Sequence, residues 1–123
     1  LLFDKSLEYG EHDGLGLVGG CVKPIEDVIP KNYKIPHIGW NALHFPVNKE
    51  KNRLFRYVDE GEHVYFVHSY YLKAKHIEDV AATTDYIVPV HAAVEHDNIF
   101  ATQFHPEKSG DVGLEILKNF VSI

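Results

Sequence analysis

The apolar and polar positions divide the chain into short extended runs separated by turn residues, with one helical stripe at its end. Residues 1–7 open on Leu1, Leu2 and Phe3, pass through polar Asp4, Lys5 and Ser6, and return to Leu7. That spacing predicts the end of an amphipathic helix. Residues 10–20 are too rich in glycine for a stable helix and predict turns flanking short strands. Cys21, Val22 and Lys23 continue as a strand that should stop at Pro24. Residues 35–43 form a short extended passage broken by Gly39, and residues 48–53 are polar enough for a solvated loop. Residues 62–71 are dense in aromatic and β-branched side chains, and their continuous apolar centre predicts an interior strand covered on both faces. Two further runs, residues 87–94 and 99–104, flank His96, Asp97 and Asn98, which predicts a hairpin. Val112, Ile116, Leu117, Phe120 and Val121 then recur at helical spacing behind Ser109 or Asp111 as a cap, predicting a last helix with one core face.

Composition narrows the classes of function. A length of 123 residues fits one domain, and 45% hydrophobic with 24% charged residues is ordinary for a globular protein. The net charge of −6, without a basic stripe, argues against nucleic acid or an anionic membrane surface as partner. No apolar run approaches the roughly 20 residues needed to cross a bilayer. The single cysteine excludes an internal disulfide framework and fits a reducing cytosol. Leu1, Leu2 and Phe3 begin on bare apolar residues, and the chain has no methionine, so it reads as a segment of a longer polypeptide.

Three candidate chemistries recede on inspection. The glycines between Gly14 and Gly20 lack the spacing of a dinucleotide fingerprint, and Pro24 blocks a following helix. Nine histidines raise metal binding, yet no His-x-x-x-His pair falls in a credible helix and there is no second cysteine. His91 and His96 flank the predicted turn and should face solvent, so neither metal nor cofactor is expected. Cys21 lies within a strand, whereas a nucleophilic thiol on an α/β sheet sits on a sharp strand-to-helix turn. It reads as a small buried thiol.

The remaining chemistry lies in Gln103, Phe104, His105, Pro106, Glu107, Lys108, Ser109 and Gly110. In an extended segment residues two apart share a face, so His105 and Glu107 should project together, with Pro106 ending the strand. A carboxylate beside an imidazole fixes its tautomer and suits it to shuttle protons for a nucleophile. The His-x-Glu spacing alone is common in a histidine-rich chain, but the eight-residue string is more specific. It resembles the His-Pro-Glu signature of class I glutamine amidotransferases, and most of all the glutaminase subunits of imidazole glycerol phosphate synthase. Residues 67–70 and 37–41 are similar to further segments of that family.

The resemblance implies an α/β, flavodoxin-like sheet with flanking helices whose N-terminal part is missing, residues 1–123 being a single domain, the C-terminal portion of an amidotransferase domain. It implies catalytic roles for His105 and Glu107 and glutamine contacts at Glu8, Ser69 and Tyr70. It also implies a partner interface at Trp40, Asn41 and Lys108. Simpler readings stand beside these: Trp40 as core, Lys108 and Glu8 as solvated charges, His68 as a hydrogen-bonded core imidazole. In the family a thiolate attacks the glutamine amide, and ammonia passes to a cyclase subunit that makes imidazole glycerol phosphate for histidine biosynthesis in the cytoplasm. The matching cysteine falls upstream of Leu1, so residues 1–123 alone are expected to be inactive. A non-catalytic partner subunit and an amidotransferase serving another acceptor are the competing readings.

Overall fold

The computed structural model describes residues 2–7, 10–27, 37–47 and 53–123. Its first strands are β1 (Phe3–Ser6), β2 (His12–Asp13) and β3 (Val18–Pro24). Where the spacing predicts a helix over residues 1–7, Phe3–Ser6 form a strand, and Leu1 lies outside the described residues. Phe3 is buried while Asp4 and Lys5 face solvent, and β1 pairs antiparallel with β2 and parallel with β3. So short a segment cannot offset the cost of helix nucleation. The glycine-rich return supplies partners instead: the Leu2 carbonyl accepts from the Leu17 and Val18 N–H groups, at 2.9 and 3.1 Å. Gly20 is required here, because at φ 140° a Cβ would lie 2.3 Å from the Lys73 carbonyl across the sheet.

The aromatic run over residues 62–71 is two strands. β4 (His37–Ala42) pairs in register with β5 (His63–His68) as a separate two-stranded sheet, and after Ser69 the chain crosses into β6 (Tyr70–Ala74), which joins the main sheet. On β5 Val64, Phe66 and His68 are buried while His63 and Val67 are exposed, so one face is covered rather than two. The outer face also carries apolar side chains, which disguised the alternation as a continuous run.

β7 (Val80–Tyr86), β8 (Val88–His96) and β9 (Ile99–Thr102) complete the main sheet. The expected hairpin is β8–β9, turning at Asp97 with φ 54°. β7 was not anticipated; its run of alanines and threonines carries little strand signal. The main path is β2-β1-β3-β6-β8-β7, with β9 on β8, and β1–β3 is its only parallel pairing among the described residues. A bridge between His44 and Thr83, and the Thr84 hydroxyl donating to the Ala42 carbonyl at 2.7 Å, tie the small sheet to the large one.

Helix α1 (Gly110–Val121) flanks this mixed sheet and closes a core containing Leu43, Phe45, Phe55, Phe66, Phe104 and Ile116. Its inward residues are Gly113, Ile116 and Asn119, with Val112 half-buried. Leu117, Phe120 and Val121, expected in the core face, are exposed. The helix is rolled by two contacts that periodicity does not register. Gly113 sits beneath the Pro106 carbonyl, and the Asn119 amide donates to the Leu54 and Arg56 carbonyls.

Candidate functional site

β9 ends at Thr102, and His105 stands at the entrance to a 3-10 turn, Pro106–Lys108. His105 is extended, with φ −103° and ψ 98°, whereas Glu107 lies within the turn. The two side chains thus meet because the chain curls, not because they alternate along a strand. His105 Nδ1 and Glu107 Oε1 are 2.9 Å apart. The Glu107 backbone N–H, then the His105 ring, hold the Glu107 carboxyl below the usual carboxylate range. Both side chains are partly exposed, and with Nδ1 engaged the other ring nitrogen, Nε2, is the one placed to exchange a proton.

The backbone of His105 is held as firmly as its ring. Its N–H donates to the Tyr65 carbonyl at 3.0 Å, and its carbonyl accepts from the Lys108 N–H at 3.0 Å and the Ser109 hydroxyl at 2.6 Å. The same hydroxyl accepts from the Tyr65 N–H at 3.0 Å. Ser109 was expected as a helix cap and does occupy that position, but its side chain makes no capping hydrogen bond. Below it, a Cβ at Gly113 would approach the Pro106 carbonyl oxygen to 1.8 Å, so only glycine lets α1 support the turn this closely.

Ser69 and Tyr70 are half-buried where β5 passes into β6. The adjoining His68 is a buried, hydrogen-bonded imidazole. Its Nδ1 donates to the Tyr70 carbonyl at 2.6 Å, and its Nε2 lies 2.9 Å from Nδ1 of His37. His37 Nε2 meets Asn41 Oδ1 at 2.8 Å, and Asn41 Nδ2 donates to the Asp85 carbonyl at 2.9 Å. Carbonyl oxygens close both ends, so bonding throughout needs three ring hydrogens, one more than two neutral imidazoles carry. Burial opposes that extra proton. It pushes His37 below the usual histidine range, and His68 down to about 4. His37 is further enclosed by stacking on Tyr86 and Phe66, with ring centroids 4.0 and 5.1 Å away. The one sequence signal for His37 is a histidine set inside an apolar extended run.

Trp40 is 53% exposed and meets Tyr65 edge-on. Ile38 and Val67 are exposed and directly paired beside them, so the outer face of β4–β5 is apolar. Asn41, next to Trp40, is half-buried and engaged with His37 and Asp85. Lys108 is exposed at the end of the His105 turn, and Glu8 lies outside the described residues. Cys21 lies within β3, half-buried opposite Lys73 and Lys5. His91 and His96 do not simply face solvent. His91 accepts from the Ala74 N–H at 3.0 Å, and His96 pairs with buried Asp79 at 2.9 Å.

Comparison with known proteins places this chain in a family. Residues 7–123 match the family model described as glutamine amidotransferase class-I. The chain is 47% identical over 124 residues to a protein of Wolinella succinogenes, covering all of this chain and 59% of that one. It is 50% identical over 125 residues to one of Geobacillus thermodenitrificans, covering all of this chain and 57% of that one. A Helicobacter hepaticus protein is 43% identical over 123 residues, again along the whole chain and 55% of the relative. Each of the three is named imidazole glycerol phosphate synthase subunit HisH, and the chain spans a little over half their length. Matched from Leu7 to its last residue, the chain belongs to the class I glutamine amidotransferase family.

Proposed function

We propose that residues 1–123 are the C-terminal portion of an amidotransferase domain, and that the protein is the glutaminase subunit of a cytoplasmic imidazole glycerol phosphate synthase. The observation that carries this reading is the His105–Glu107 pair, joined at 2.9 Å with Nε2 left for a reacting group. In the proposed reaction a cysteine thiolate from another part of the domain attacks the amide carbon of glutamine. His105 protonates the departing ammonia, and water then hydrolyses the thioester with His105 accepting its proton. Glu107 holds the ring in the tautomer with Nδ1–H and balances its charge when protonated. Ser69 and Tyr70, and Glu8 from its own segment, contact the glutamine.

The second half of the proposal is transfer of ammonia to a cyclase subunit, which makes imidazole glycerol phosphate in histidine biosynthesis. The exposed apolar face of Ile38, Trp40 and Val67 supports a protein partner, since aromatic anchors of this kind are enriched at interfaces. Lys108 and Asn41 complete that proposed contact. The test uses the full product of the gene, purified with its cyclase subunit. Ammonia release from glutamine and cyclase turnover should both be present, and His105→Ala should abolish the first. Glutamine hydrolysis that survives His105→Ala would remove the assignment, and failure to associate with the histidine-pathway cyclase would point to another acceptor.

A further inference from the structure

We infer that Ser109 is a positioning residue for the glutaminase reaction: its buried hydroxyl fixes the backbone of His105 against β5 and so sets where the imidazole points. The inference rests on the proposed role of His105. Its own warrant is a hydroxyl that declines its local task. A serine immediately before a helix ordinarily accepts from an N–H of the first turn, which stabilises the helix. Ser109 stands before α1, yet makes no such bond. Its Oγ instead donates to the His105 carbonyl at 2.6 Å and accepts from the Tyr65 N–H at 3.0 Å. At 1% exposure water cannot substitute for either bond.

The result is a closed cluster. Tyr65 offers both backbone groups to the His105 turn, its carbonyl to the His105 N–H and its own N–H to Ser109. Removing the hydroxyl leaves the Tyr65 N–H without its partner and the His105 carbonyl with the Lys108 N–H. The tie between the turn and β5 then reduces to a single backbone bond at His105. The imidazole is carried on that backbone, and proton transfer depends steeply on placement: a shift of about 1 Å can cost on the order of 100-fold in rate.

The experiment compares Ser109→Ala and Ser109→Thr in the full gene product with its cyclase subunit. Ser109→Ala should lower the turnover number for glutamine hydrolysis about 10- to 100-fold with little change in KM. Ser109→Thr, which keeps the hydroxyl, should recover most of that loss. In parallel, ¹⁵N spectra of the His105 ring in the same full gene product should show a fixed Nδ1–H tautomer in the parent and an averaged one in Ser109→Ala. Hydrolysis lost in His105→Ala, but unchanged with an unaltered ring tautomer in Ser109→Ala, would overturn this inference and leave the function standing. Hydrolysis retained in His105→Ala would instead overturn the functional reading beneath it. A Ser109→Ala protein that melts earlier yet keeps turnover and tautomer would assign Ser109 to stability alone and also overturn the inference.

Discussion

Nδ1 of His37 lies 2.9 Å from Nε2 of His68, the two ring nitrogens facing each other inside the small sheet. The pair is buried, and burial disfavours its charged form, holding His37 low and His68 at about 4. Between the ordinary histidine range and that value, the unfolded chain binds a proton that folded His68 refuses. Stability is therefore complete above pH 6.5 and is lost as pH falls toward 4, by on the order of 3 kcal/mol for His68. Urea titrations across that interval check the slope. Ring ¹⁵N titration should show His37 and His68 moving as one unit, because a shared proton belongs to both. A flat stability profile would count against the network.

Gly113→Ala should destabilise the fold despite alanine's better helix propensity. The added Cβ would approach the Pro106 oxygen to 1.8 Å, and overpacking of this kind costs about 1–3 kcal/mol. Thermal melting measures the loss, and the displaced turn should also broaden the His105 resonances.

Ile87→Asn should do the opposite. Ile87 joins β7 to β8 at φ 68°, where a β-branched residue is strained, and it is half exposed, so little burial is forfeited. Relief of roughly 1 kcal/mol is expected, since the left-handed region costs an L-residue about 1–2 kcal/mol and asparagine tolerates it. A melting temperature raised by about 4 °C would show it.

Residues 1–123 by themselves should release no ammonia from glutamine, because the one thiol, Cys21, sits within β3 and not on a strand-to-helix turn. A glutaminase assay against the buffer rate decides this. Release above that rate, abolished by His105→Ala, would contradict it.

Trp40→Ala should weaken binding of the cyclase subunit by about 2 kcal/mol, the scale of an aromatic anchor, while leaving the melting temperature nearly unchanged. Its 53% exposure is the reason for the second half of that expectation. Calorimetry of the two subunits tests both.

Sequence alone determined a good deal. The β8–β9 hairpin, the strand stopping at Pro24 and the pairing of His105 with Glu107 were legible locally, although a turn and not strand alternation joins the last two. In each, the deciding groups lie within a few residues of one another, where spacing and turn chemistry act directly. The path of residues 2–7, the break at Ser69 and the roll of α1 were decided only by tertiary structure. β1 exists because β3 and the glycine return satisfy its backbone, and β5 is one-sided because β6 leaves it for another sheet. α1 turns its leucines outward because Gly113 and Asn119 meet carbonyls from elsewhere in the chain. Ser109 joins both accounts: its place before the helix was legible in the sequence, but its hydroxyl answers to Tyr65, forty-four residues away. A local pattern cannot weigh a partner that only folding brings within reach.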